Sequence, residues 1–147
     1  MAYPPNFDKS RAVELGTLID AAYTQYSQRA TLGNAWQPAG YQIQATFQAR
    51  ENGSFVPFGF VATKDKDAYV VIRGTLTPLE WLDDATILPV PFAQNWGNTT
   101  QGFKDIYTQL SPTIIQAIDA LKSTKGFADF YVTGHSLGAA QIGRAHV

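Results

Sequence analysis

Cysteine is absent from the 147 residues, and only 2 histidines occur. The first absence excludes a disulfide scaffold, a thiolate metal site and a cysteine nucleophile. The second excludes a histidine-rich metal cage. There is no basic excess either: 11 Lys and Arg stand against 12 Asp and Glu, a net charge of -1. A nucleic-acid partner held by phosphate neutralisation is therefore not expected. No apolar run reaches 18 residues, so no membrane-spanning helix is expected. Met1 to Arg11 lacks the apolar stretch of a signal peptide. Cytoplasm is then the default location, with secretion left open, because exported proteins also dispense with cysteine. What is present is 45% apolar and 13% aromatic residues, enough for one globular core and too much for a disordered chain.

The hydropathy pattern divides the chain into alternating elements. Val13, Leu15, Leu18, Ile19, Ala22, Tyr23 and Tyr26 recur at spacings of three and four, which predicts a helix over 8–28 packed on a sheet, capped by Asp8 or Ser10. Tyr41, Ile43, Ala45 and Phe47 alternate with polar residues and predict a strand with one wet face. Glu51-Asn52-Gly53 marks a turn. Phe55 to Ala62 predicts a second strand, bent or near an edge because of Pro57. After a turn at Lys64 to Asp67, the apolar run Ala68 to Ile72 predicts a central strand covered on both faces. Thr77 to Ile87 predicts a short helix with Pro78 in its first turn. Leu88 to Gly102 reads mostly as loop, Phe103 to Lys122 as a helix, and Phe130 to Val132 as a short strand ended by Gly134. This alternation predicts an α/β layered fold.

Chemistry concentrates at Gly134-His135-Ser136-Leu137-Gly138, a Gly-x-Ser-x-Gly immediately after an apolar strand and before a helix-forming run. This is the pattern of a nucleophile elbow. The chain must reverse sharply at Ser136, the two glycines let strand and helix approach closely, and the serine hydroxyl is left exposed. The Leu137 N–H then opens the following helix and can face a developing oxyanion. A second strand end, Arg73-Gly74-Thr75, is a candidate source of the other oxyanion donor.

Taken together, Arg73-Gly74-Thr75, then Glu80-Trp81-Leu82-Asp83-Asp84, then Gly102-Phe103 with Tyr107, then Val132 to Ala140, resemble the motif order of the class 3 lipases. These are the fungal-lipase-like branch of the α/β-hydrolases, and the chain looks most similar to bacterial members. The resemblance covers about residues 8–140. It implies the N-terminal portion of an α/β-hydrolase fold, a mixed sheet with flanking helices. It also implies a serine carboxylic-ester hydrolase, acting on triacylglycerol or related lipids at a lipid–water interface, with no metal or organic cofactor. Ser136 is then the nucleophile, and Thr75 and Leu137 are the oxyanion-hole donors. Asp84 steadies the oxyanion residue, and Trp81, Leu82 and Ile87 form the apolar face of a lid. Feruloyl or acetyl esterase and phospholipase A1 activity on the same fold, or a non-catalytic lipid- or protein-binding role, are the alternatives.

Two departures from the family pattern carry expectations. Thr99-Thr100-Gln101 stands where members often carry Val-His before the Gly-Phe pair. In the family the triad Asp and His follow the serine, whereas 11 residues follow Ser136 here, so both partners are expected outside the chain and the fragment itself is expected to be inactive. His135 is turned away from Ser136 by the elbow. His146 lies about 15 Å along the helix at 1.5 Å per residue, out of reach of the serine. Residues 1–141 are read as one partial lipase domain. Ile142 to Val147 resemble a translated sequencing adapter, a non-native tail set aside from fold reasoning.

Overall fold

Asp8 adopts an extended backbone and accepts the Arg11 N–H at 2.9 Å, so of the two expected caps it is Asp8 that opens α1 (Lys9–Ser27). The computed structural model describes residues 6–28, 34–51, 53–75, 89–92, 97–124 and 126–143. The expected lid helix, with Trp81, Leu82, Asp84 and Ile87, lies outside the described residues.

Among the described residues four strands form the main sheet: β1 (Gln42–Glu51), β2 (Ser54–Lys64), β3 (Asp67–Ile72) and β6 (Asp129–Gly134), side by side in that order. The first three pair antiparallel, and β3 pairs with β6 in parallel. β3 is central, as its continuous apolar run predicts. Ala68, Val70 and Ile72 face the cluster under the long helix α2 (Gln101–Ser123), while Tyr69 and Val71 face α1. Helices on both faces leave no wet side, so every second position does not need to be polar.

Pro57 lies in an interior strand, not at an edge. Phe47 pairs with Gly59 and Gln48 with Pro57, so Phe58 is an extra residue on β2. This bulge reverses the alternation: Val61 faces α2 beyond it, and Val56 and Phe58 face the same side before it. The stretch read as loop from Leu88 to Gly102 also contains a small ladder, β4 (Pro89–Pro91) against β5 (Asn98–Thr100). Two prolines are tolerated there because only alternate residues of an antiparallel strand turn their N–H toward the partner. α2 follows directly from Thr100, and its Ile106, Leu110 and Leu121 are buried under the sheet.

The start of α1 is tied to the start of β3 by a dense polar cluster. Arg11 meets Glu14 at 2.7 Å and Asp67 at 3.1 Å, donates to the Tyr69 hydroxyl at 2.6 Å, and lies 4.2 Å over the Tyr131 ring. Tyr41 donates to Glu14 at 2.6 Å. No helix among the described residues is long and apolar enough to cross a membrane.

Candidate active site

Parallel pairing sends β3 and β6 in the same direction, and the last pair in register is Ile72 with Gly134. Their C-terminal loops, 73–75 and 135–136, therefore emerge side by side at one end of the sheet. Two sequence motifs about 60 residues apart meet because of that register.

The second loop is a tight strand-to-helix turn. Ser136 has φ 52° and is exposed. That left-handed conformation costs a non-glycine residue on the order of 1 kcal/mol, and the surrounding contacts enforce it. Gly138 donates its N–H to the His135 carbonyl at 2.8 Å, and Ala140 to the Ser136 carbonyl at 3.1 Å. A Cβ on Gly134 would stand 2.7 Å from the Gly138 carbonyl oxygen, and one on Gly138 would stand 2.8 Å from the Arg73 carbonyl oxygen. Side chains at either position would push strand and helix apart, which is why the motif needs both glycines. Leu137 is buried and begins α3 (Leu137–Gly143), where the first backbone N–H groups have no partner within the helix.

The first loop rests directly on the elbow. A Cβ on Gly74 would lie 2.7 Å from the His135 carbonyl and 3.1 Å from Ser136 Cβ. Thr75 is buried beside it. Arg73 anchors the loop from beneath and is wholly buried. Its Nε donates to the Pro57 carbonyl at 2.7 Å, Nη1 to the Gly74 carbonyl at 2.6 Å, and Nη2 pairs with Glu51 at 3.2 Å. The guanidinium carbon lies 4.0 Å from the Tyr26 ring centre and 4.1 Å from that of Phe58. Burial pushes its pKa below the usual arginine value, against the opposing pull of Glu51 and Tyr26.

The sequence pattern presents Arg73 as part of a turn motif and Tyr23 as helix packing. The structure gives each a polar partner set at the site. Tyr23 accepts the Gly74 N–H at 3.2 Å and stands 2.9 Å from His135 Nδ1. The available signal was a phenol on an otherwise apolar helix stripe, a ring whose hydroxyl needs a partner when it packs. His135 is thus engaged with Tyr23. Thr99 is buried in β5, and Thr100 precedes α2 without a side-chain capping bond. His146, Trp81, Leu82 and Asp84 lie outside the described residues.

Comparison with known proteins matches this arrangement. The family of class 3 lipases matches residues 69–142, which include both loops. A lipase of Rhizomucor miehei is 32% identical over 78 residues, covering 52% of this chain and 21% of that protein. The Rhizomucor miehei triacylglyceride lipase structure superposes with a TM-score of 0.67 at 23% identity, over 92% of this chain and 54% of the other. Lipase II of Rhizopus niveus gives 0.67 at 24%, again over 92% and 54%. These structures share the α/β-hydrolase fold with the mixed sheet and flanking helices described above. The chain spans about a fifth of the curated relative's length and about half of these solved lipases. The match extends through both strand ends and the elbow that follows the second, and on that ground the chain belongs to the class 3 lipase family.

Proposed function

We propose that the whole protein is a serine carboxylic-ester hydrolase acting on triacylglycerol or related lipids. The observation that carries this is Ser136, exposed and held at φ 52° on the turn between β6 and α3, with the Gly74 loop packed against its Cβ. Ser136 Oγ attacks the ester carbonyl, and the carbonyl oxygen becomes an oxyanion. The N–H groups of Thr75 and Leu137 hold that charge. Collapse of the tetrahedral adduct expels the alcohol and leaves an acyl-enzyme, which water then hydrolyses to the free acid. By the motif resemblance alone, Asp84 takes the role of supporting the oxyanion donor, and Trp81 and Leu82 that of lid residues for the lipid substrate. His135 is engaged with Tyr23, which argues against it as the base that takes the Ser136 proton; on this reading that base, and the acid that orients it, belong to the part of the family's fold that these 147 residues do not cover. Water serves as the second substrate, and the chemistry calls for no cofactor.

The test is Ser136→Ala in the whole protein, assayed on a p-nitrophenyl ester. Turnover should fall by at least about 10³-fold, as loss of a triad nucleophile does. Undiminished hydrolysis would remove Ser136 from the mechanism.

A further inference from the structure

Past the Ile72–Gly134 pair, the backbone link between the two loops is long. His135 N–H reaches the Ile72 carbonyl at 3.4 Å, near the limit of a useful bond. Arg73 holds the loop from beneath, and a side-chain bridge supplements the weak backbone link to the elbow. Tyr23 on α1 stands between them. Its hydroxyl accepts the Gly74 N–H at 3.2 Å and lies 2.9 Å from His135 Nδ1. A backbone N–H can only donate, so it takes a lone pair of the phenol oxygen. The phenol oxygen keeps a proton and a second lone pair for Nδ1, so either direction of that bond leaves Tyr23 bridging the two loops. The two rings meet edge-on with centres 6.0 Å apart.

The helix that carries Tyr23 is itself tied to the sheet. Arg11, three turns earlier on α1, is fixed to Asp67 and Tyr69 at the start of β3. Residues 11 and 23 are about 18 Å apart along a helix, and residues 67 and 74 about 23 Å apart along a strand. The helix therefore runs the length of β3, with its first turn tied at one end of the strand and Tyr23 at the other. Gly74 is then gripped twice: its N–H by Tyr23, its carbonyl by Arg73 Nη1 at 2.6 Å. That carbonyl shares a planar trans peptide with the Thr75 N–H, which must point the opposite way. Setting the Gly74 peptide groups sets the aim of the Thr75 donor.

We propose that Tyr23 is a positioning residue whose hydroxyl straps the 73–75 loop to the elbow and so keeps the Thr75 N–H aimed at the oxyanion formed on Ser136. The proposal rests on the reading of Ser136 as nucleophile and Thr75 as oxyanion donor. Tyr23 touches neither substrate nor reacting atom. Its effect is on the transition state, because a donor out of place by a fraction of an ångström loses most when the charge develops.

The experiment uses the whole protein with Tyr23→Phe, which keeps the ring and removes only the hydroxyl. The kcat on p-nitrophenyl butyrate should fall about tenfold with KM unchanged. Affinity for butylboronic acid, whose serine adduct is tetrahedral and anionic, should weaken by a similar factor. His135→Phe cuts the strap from its other end and serves equally if Tyr23→Phe does not fold. The double variant should be no slower than the slower single variant, since one strap can be lost only once. Wild-type kcat and boronate affinity in both single variants, a change confined to KM, or losses that multiply in the double variant would each overturn the strap. Ser136→Ala separates the two levels. If it is inactive while Tyr23→Phe matches the wild type, only the strap falls; if it keeps full turnover, the reading beneath the strap falls with it.

Discussion

Glu51→Gln isolates the charge that accompanies the buried guanidinium of Arg73. The Arg73 side chain has 0% of its surface exposed and Glu51 has 13%, with Nη2 and Oε2 3.2 Å apart. Removing one partner of a fully buried pair costs about 3–5 kcal/mol, because the remaining charge is left uncompensated. Here three features reduce the cost. The carbonyls of Pro57 and Gly74 still accept from Nε and Nη1, the rings of Tyr26 and Phe58 still flank the cation, and the glutamine amide oxygen can replace the carboxylate as acceptor. A loss of about 2 kcal/mol follows from that comparison. With a urea slope of about 2 kcal/mol per molar, the unfolding midpoint should fall by about 1 M at unchanged slope. Equilibrium urea unfolding followed by circular dichroism reads this directly. The control is the same change in an Arg73→Met background, where no cation remains and Glu51→Gln should be nearly neutral. A midpoint shift too small to resolve, or an equal shift in both backgrounds, would show that the buried charge is not what Glu51 supports.

Gly138→Ala should cost about 3 kcal/mol, because the new methyl meets the Ile72 carbonyl at the end of β3 and the Arg73 carbonyl at 2.8 Å, and neither backbone group can swing aside. Thermal unfolding should begin about 6–12 °C lower, and an unchanged melting temperature would mean that the elbow relaxes freely. On the acid side, partial burial works to raise the Glu14 carboxyl, but the Tyr41 hydroxyl, Arg11 and Lys64 together hold it below the usual carboxylate value of 4.5. A depressed carboxyl contributes stability that is present above its unfolded pKa and is lost as pH falls through its folded one. Stability should therefore decline below pH 4.5, and Glu14→Gln should flatten that decline in pH-dependent urea midpoints. Parallel acid limbs for both proteins would disprove the linkage.

Local order was legible where physical causes are local. The three- and four-residue spacing from Val13 to Tyr26 comes from helical periodicity, and α1 occupies Lys9–Ser27. The apolar run Ala68 to Ile72 signals a strand with both faces covered, and it is the central strand. The bulge at Phe58 was not legible, because an extra residue is defined only by the partner strand and Pro57 alone suggests a bend or an edge equally well. The β4–β5 ladder was hidden for a similar reason, since three-residue strands rich in proline and asparagine look like loop until their partners are known.

The candidate site divides along the same line. Gly134-x-Ser136-x-Gly138 is a contiguous motif whose strain arises within five residues, so composition and spacing by themselves determined that the chain would turn sharply there with an exposed hydroxyl. Family membership was legible too, because the motifs occur in order along the chain. What only the tertiary structure decided is which groups converge on that turn. The parallel β3–β6 register brings Gly74 against Ser136. A buried Arg73 depends on Glu51, Tyr26 and Phe58, and Tyr23 meets Gly74 across 51 residues and His135 across 112. Hydrogen bonds and ion pairs at such separations leave no periodicity in the sequence. They exist only once the packing of the sheet and its helices has brought the partners within reach of one another.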